Sequence, residues 1–216
     1  MPPMISIVGR AKSGKTSLLE HLIPELKRRG YRLATIKHSA HGHDLNEKGK
    51  DSQRLANAGS DAVMVSSSQG LAMLKNVGKE LGAEELSLLM GNDYDLIITE
   101  GFKKGKAAKI EVHKPGPDSG LMCHPSELLA VVTDEPLDIP VPQYPRSDVS
   151  GLADLIEQSL LPQAGGDELS LFINNAPVPL NPFIEDLMTR VVLAIVSTLK
   201  GIGEVASLDI RLRRRQ

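Results

Sequence analysis

The sequence has no tryptophan, one cysteine, three phenylalanines and three tyrosines. With aromatic side chains so scarce, Val, Ile, Leu and Ala must fill the core, and at 41% hydrophobic residues there are enough of them. The single Cys123 excludes an internal disulfide and any cysteine cage for a metal within one chain, which fits a reducing compartment. No uncharged apolar run approaches the roughly 18 residues that a membrane helix needs. The first apolar residues read as a strand, with no basic segment and small-residue cleavage site before them. A cytoplasmic protein without a membrane partner is therefore expected. Nor does charge of one sign dominate: 25 Lys and Arg stand against 27 Asp and Glu, a formal net charge of -2. Bulk electrostatics gives no reason to expect nucleic acid as a partner. The 216 residues suffice for one α/β domain with a modest appendage.

What is present is a phosphate-loop signature. Gly9-Arg10-Ala11-Lys12-Ser13-Gly14-Lys15-Thr16 fits the pattern G-x-x-x-x-G-K-[ST]. In that pattern backbone N–H groups cradle phosphates, the lysine reaches the β/γ-phosphates and the final hydroxyl ligates Mg²⁺. The context fits as well. Residues 5–8 form a short apolar run that reads as a buried strand, and Leu18, Leu19, Leu22, Ile23 and Leu26 recur at helical spacing. A bound phosphate would then meet a helix N-terminus, with Ser17 in its first turn.

The first helix is predicted over residues 15–29, stopped by Gly30. A strand follows at 31–37, then a polar segment at 38–52, which starts at the strand end where ligands bind in open α/β sheets. A short helix at 52–58, paired strands at 61–67 and 70–75, and a helix at 77–90 come next. Residues 95–101 (DLIITEG) are the most strand-like run in the middle of the chain. Residues 109–114 and 128–133 read as further strands, 139–144 as a proline-broken edge, and 149–161 as a helix capped by Asp148 or Ser147. The alternation of strands and helices argues for an α/β fold with a mostly parallel sheet flanked by helices. Residues 1–161 would form this domain and 162–168 a linker. Residues 169–216 would form a small α+β unit: a hairpin, a helix started by Asn181-Pro182, and a last strand around Leu208 to Leu212.

Several polar residues are candidates for chemistry. A phosphate loop needs an acid at the end of a nearby strand to hold Mg²⁺. Glu100 is the first choice, with Gly101 beside it allowing close backbone approach to a phosphate; Asp95 lies at the far end of the same strand. Thr16 and Glu100 are thus the expected metal ligands, and Lys15 and Glu100 the candidate catalytic residues. In the polar segment, Lys37, Asp44 or Asp51 would meet the γ-phosphate, its Mg²⁺ or a water. The same segment holds His38, His41 and His43, which admit a zinc reading or a solvated loop. Asp134, at a strand end, would read guanine through its N1–H and exocyclic amine, or cap the following turn. Lys103, Lys104, Lys106 and Lys109 read as a solvated basic loop, suited to a second polyanion if they face the ligand. Arg54 is the candidate for an arginine finger.

Taken together, GRAKSGKT, Thr35-Ile36-Lys37-His38 with His43-Asp44, Gly49-Lys50-Asp51-Ser52, Ala58-Gly59, residues 95–103 (DLIITEGFK) and residues 109–113 (KIEVH) resemble the MobB family, the molybdopterin-guanine dinucleotide biosynthesis adaptor proteins. The resemblance spans roughly residues 3 to 160. It implies a P-loop fold related to the metal-chaperone GTPases, binding of GTP and Mg²⁺, weak GTP hydrolysis and a homodimer. It also implies contact with MobA, the guanylyltransferase that joins GMP to molybdopterin, with molybdopterin itself a further candidate ligand. The nucleotide would be held by Gly9, Arg10, Ala11, Lys12, Ser13, Gly14, Lys15, Thr16, Ser17, Lys37, Asp44, Asp51, Gly101 and Asp134. Arg10 and Lys12 depart from the pattern by adding two cations to the loop. Two other classes fit the phosphate loop: a metallochaperone loading a metal through the histidines, and a small-molecule kinase. The kinase reading is weakened because residues 103–109 contain lysines but no arginine. A third reading keeps the nucleotide as a structural ligand only.

Overall fold

Short, near-continuous apolar runs such as residues 5–8, 96–98 and 130–132 give strands buried on both faces, and they build the centre of the main sheet. The computed structural model describes residues 2–39, 51–116 and 120–161, and beyond these 169, 171–173, 176–178, 180–201, 203, 205, 208 and 210. The chain divides into two units, Met1–Leu161 and Pro162–Gln216.

In the first unit the elements run β1 (Met4–Val8), α1 (Lys15–Arg28), β2 (Leu33–Lys37), α2 (Asp51–Asn57), β3 (Ala62–Ser67), β4 (Gly70–Lys75), α3 (Ala83–Met90), β5 (Leu96–Glu100), β6 (Ala108–Val112), β7 (Leu128–Val132), β8 (Gln143–Tyr144) and α4 (Val149–Leu160). Six strands form one sheet in the order β2-β5-β1-β6-β7-β8. Every pairing in it is parallel. β3 and β4 form a separate antiparallel pair. The first strand therefore sits inside the sheet with β5 and β6 as neighbours, and all C-terminal strand ends share one edge, where ligands bind in such sheets.

One face of the sheet carries the larger core. Leu18, Leu19, Leu22 and Leu26 of α1 and Leu152, Ala153 and Ile156 of α4 pack on Ile5, Ile7, Leu96, Ile98, Ile110 and Val112. Arg29 fastens the two helices: Nε reaches Glu25 at 2.8 Å, Nη1 reaches Glu157 at 2.7 Å and also Asp154, and Nη2 donates to the Ser150 carbonyl at 3.0 Å. Burial works against its charge, but these acceptors outweigh that and raise its pKa.

The other face is partly polar. Ala34, Ile36 and Ile97 pack with Met4, Leu86, Tyr94 and Phe102. Beside them Thr99 Oγ1 donates to Ser6 Oγ at 2.8 Å, both residues fully buried. Lys109 and Glu111 are also buried on β6. Lys109 therefore departs from the solvated loop expected for it: strand alternation turns its side chain inward, where Nζ pairs with Glu127 at 3.2 Å. Lys104 and Lys106 line an open groove of about 670 Å³ with Lys109, Glu127 and Leu128. The groove adjoins Ala108 and Leu128, the first residues of β6 and β7, so it lies toward the sheet edge opposite the glycine-rich loop.

The helix predicted over 77–90 begins only at Ala83. Gly82 stands at its N-cap, and its N–H is accepted by Glu85 at 2.9 Å, so the local cap overrides the apolar period upstream. The helix start left open between Ser147 and Asp148 resolves to Asp148, whose carboxylate accepts the Gly151 N–H at 2.9 Å.

In the second unit, β9 (Leu171–Ile173) and β10 (Ala176–Val178) pair antiparallel, and α5 spans Pro182–Ser197. Asn181 Oδ1 caps α5 by accepting the Ile184 N–H at 2.9 Å. The strand expected around Leu208 to Leu212 is not formed at Leu208 and Ile210, and its other positions lie outside the described residues.

Candidate nucleotide-phosphate site

The loop between β1 and α1 has the backbone that its glycines require. Gly9 has φ +146° and Gly14 φ +93°. A Cβ on Gly9 would stand 2.5 Å from the Val112 carbonyl oxygen and 2.7 Å from Ser13 Oγ. Lys12, at φ +58°, holds a left-handed conformation without being glycine, which costs about 1 kcal/mol. α1 then starts with no side-chain cap and no acid in its first turn. No acid of the helix's own first turn competes for its first N–H groups, and the positive end of the helix dipole faces the loop. An anion is the natural partner of such a helix end.

Lys15 Nζ donates to the carbonyls of Gly9 at 3.0 Å and Arg10 at 2.8 Å, spanning the loop that it follows. Ser13 is buried, and its Oγ has no hydrogen-bond partner among the described residues. A buried hydroxyl left unsatisfied is costly. An oxyanion held in the loop would offer it an acceptor.

The register of the parallel sheet brings the acid to the loop. Ile7 lies opposite Glu100, and Lys37 lies opposite Glu100 on its other side. Thr16 Oγ1 donates to Glu100 Oε1 at 2.9 Å, and Lys37 Nζ pairs with Glu100 Oε2 at 3.1 Å. The Glu100 side chain is only 12% exposed. A hydroxyl and a carboxylate are hard oxygen donors of the kind Mg²⁺ takes. Two adjacent ligands of an octahedral Mg²⁺, at about 2.1 Å each, lie roughly 3 Å apart, as these two oxygens do. The donor pair fits the ion.

Other predicted residues fall at varied distances from this centre. Gly101 has φ +102°, and a Cβ there would stand 3.1 Å from His38 Cβ. Its N–H donates to the Ile7 carbonyl at 2.9 Å, so packing and a left-handed backbone account for this glycine. His38 pairs with Glu80 and sets its ring edge-on to Phe102, with centroids 5.1 Å apart. Asp51 is exposed at the start of α2 and pairs with Arg54 at 3.0 Å; neither is placed on the loop. Asp44, His41 and His43 lie outside the described residues. Among the described residues, no group of three or more His, Cys, Asp or Glu could hold a metal.

One residue was missed by sequence reasoning. Arg146, just past β8, donates through Nη1 to the Ser13 carbonyl at 2.8 Å and pairs through Nε with Asp134 at 3.0 Å. Its signal was positional: it follows a parallel strand at the ligand edge of the sheet. That edge strand is two residues long, too short to be weighed as a site-bearing element.

The family model for molybdopterin guanine dinucleotide synthesis protein B matches residues 4–134. The molybdopterin-guanine dinucleotide biosynthesis adapter protein of Haemophilus influenzae is 35% identical over 159 residues, which cover 73% of this chain and 89% of that protein. Its namesake from Escherichia coli is 36% identical over 177 residues, covering 76% and 97%. A crystal structure of molybdopterin-guanine biosynthesis protein B, 32% identical, aligns with 72% of this chain and 98% of its own at a TM-score of 0.55. Bacillus subtilis MobB, at 20% identity and a TM-score of 0.57, shares the fold. With the glycine-rich loop, five of the six parallel strands and the acid of β5 inside residues 4–134, the chain belongs to the MobB family of molybdopterin guanine dinucleotide synthesis proteins.

Proposed function

We propose that this chain is a GTP-binding adapter in molybdopterin guanine dinucleotide biosynthesis, working beside a MobA-type guanylyltransferase in the cytoplasm. The observation that carries the reading is the Thr16–Glu100 oxygen pair, 2.9 Å apart, at the mouth of a glycine loop that opens an uncapped helix. Gly9, Gly14 and Lys15 hold the β/γ-phosphates, and Thr16 and Glu100 hold Mg²⁺. The ion, when bound, neutralises charge on the phosphate oxygens. Lys37 offsets the charge of Glu100 while that carboxylate has no metal. Asp134, at the end of β7 and 59% exposed, is the proposed guanine reader.

Hydrolysis is slow in this reading. P-loop enzymes commonly gain roughly 10³–10⁵-fold from an arginine finger on the transferring phosphoryl group. Arg54 is paired with Asp51, and Arg146 is turned to the Ser13 carbonyl. The adapter role is supported by the names of the relatives from Haemophilus influenzae and Escherichia coli.

We also propose a homodimer. β3 and β4 form a two-stranded pair with Met64, Leu71 and Met73 exposed on one face. A two-stranded hairpin is marginal in water and its apolar side invites a partner, here a second copy.

The test is a calorimetric titration of GTP, GDP and ATP with Mg²⁺, followed by capture of a purified MobA-type transferase. GTP binding that is lost in Lys15→Ala, with thermal unfolding unchanged, is the expected result. Equal GTP affinity in wild type and Lys15→Ala would remove the phosphate site, and absence of transferase binding with or without GTP would remove the adapter role. A monomer by sedimentation at micromolar concentration would remove the dimer.

A further inference from the structure

Arg146 ties together three of the loops at the ligand edge. Nη1 donates to the carbonyl of Ser13 in the phosphate loop at 2.8 Å, and Nη2 to the carbonyl of His113, just past β6, at 2.7 Å. Nε pairs with Asp134 Oδ2 at 3.0 Å, while the Arg146 N–H donates to Asp134 Oδ1 at 3.1 Å. The aspartate therefore holds both the backbone and the side chain of Arg146, so the guanidinium is aimed before any ligand arrives. A Cβ on Gly14 would collide with Nη1, so the glycine needed for the left-handed turn also makes room for this cation.

The chemistry of the contact lies in the peptide it touches. The Ser13 carbonyl and the Gly14 N–H belong to one peptide group. A guanidinium donating to that carbonyl polarises the group and makes its N–H a stronger donor. In the phosphate-loop pattern, backbone N–H groups of this kind cradle the phosphates. The arginine also fixes the orientation of that peptide and adds a full positive charge behind the loop.

We propose that Arg146 is a positioning residue for the phosphate loop and that Asp134 is its anchor, so that the pair tightens the grip on the β/γ-phosphates whatever base the nucleotide carries. The inference rests on the nucleotide-phosphate reading above and gives Asp134 a role besides guanine recognition.

The probe is inorganic tripolyphosphate with Mg²⁺, which has the phosphates and no base. It is titrated into the full-length protein alongside GTP and ATP, for wild type, Arg146→Met, Arg146→Lys, Asp134→Asn and the double variant Asp134→Asn/Arg146→Met. Arg146→Met is expected to weaken all three ligands by a similar factor, on the order of tenfold, as loss of a supporting shell does at other charged sites. Asp134→Asn gives part of that loss for tripolyphosphate too, and the double variant is no worse than Arg146→Met, because the two residues act as one unit. Arg146→Lys keeps part of the affinity. In a further variant, Arg146→Ala, guanidinium ion added well below denaturing concentration restores tripolyphosphate binding, a rescue that a merely destabilised scaffold would not show. If Arg146→Met does not fold, Arg146→Lys and the guanidinium rescue carry the comparison. Unchanged tripolyphosphate affinity in the Arg146 variants overturns the inference, as does an Asp134→Asn effect confined to GTP. A wild type that binds none of the three ligands overturns the phosphate-site reading itself, which is a separate outcome.

Discussion

Thr16 Oγ1 donates to Glu100 Oε1 across 2.9 Å, although 84 positions separate the two residues. Nothing local sets this contact. It follows from the parallel register of β1 and β5, held in part by the buried Thr99–Ser6 hydrogen bond one residue earlier. Glu100→Gln keeps the shape and removes the charge. It is expected to abolish most of the gain in GTP affinity that Mg²⁺ provides, on the order of tenfold or more, while affinity in EDTA changes little. Titrations with Mg²⁺ and with EDTA separate the two terms; an undiminished Mg²⁺ effect in the variant would take Glu100 out of the metal site.

Gly9→Ala should be damaging for a backbone reason. The new methyl would meet the Val112 carbonyl oxygen at 2.5 Å, an atom inside the sheet, and φ +146° is a strained backbone for an L residue. Overpacking of this kind costs about 1–3 kcal/mol. Thermal unfolding of the ligand-free variant should fall by several degrees, and GTP binding should be lost with it. Gly30→Ala is the control: its φ of +99° is also left-handed, but no atom lies within 4 Å of its Cβ position. A Gly9→Ala protein no less stable than Gly30→Ala would refute the steric account.

Acid should loosen the clasp between α1 and α4. Hydrogen bonds from Arg28 and Arg29 hold the Glu25 carboxyl down to about 2, against 4.5 for the free group. Between those two values the unfolded chain takes up the proton and the folded chain does not. The contribution of Glu25 is therefore complete above pH 4.5 and is lost as pH falls toward 2. Glu25→Gln should lower the melting temperature at neutral pH, and the gap to wild type should close on acidification through that window. A gap that stays constant from pH 7 to pH 2 would show that the carboxylate's charge is not what matters there.

The sheet and its loop were legible because their signals are local. Apolar runs such as Leu96-Ile97-Ile98 mark buried strands, and the glycine spacing of the loop marks a backbone that few other folds need. The placement of Glu100 beside the loop was legible as well, since it ends the strongly apolar strand at residues 95–101. Lys109 belongs by sequence both to a basic run and to the alternating strand of residues 109–114, and burial on β6 follows the strand. The start of α3 was misread because apolar residues from Val77 onward carried a helical period past Gly82. Arg146 left only a positional signal: its contacts to the site run to the backbone carbonyls of Ser13 and His113, and main-chain acceptors leave no trace in side-chain identity. Asp134 reads in the sequence as a base reader or a turn cap; the fold shows that it grips an arginine.

Glu111 offers a test of the polar face of the sheet. It is 2% exposed, and its two carboxylate oxygens accept the N–H groups of Met122 at 2.7 Å and Cys123 at 3.0 Å. Glu111→Gln would turn an amide NH₂ toward one of those donors, leaving a buried N–H unpaired at about 1–3 kcal/mol. The consequence should reach Cys123. Burial first, and the charge of Glu111 second, push its thiol up, so the reactive thiolate is scarce at neutral pH. Removing the charge favours the thiolate, and losing one of the two N–H acceptors loosens the segment that covers it. Glu111→Gln should therefore melt earlier and react faster with a thiol reagent at pH 7.5. Glu127→Gln is the comparison, because Glu127 is half-exposed and also raises the Cys123 pKa without bonding to the Cys123 backbone. Equal thiol reactivity in wild type and Glu111→Gln would mean that the covering segment is held by its other contacts and that the buried carboxylate is not its clasp.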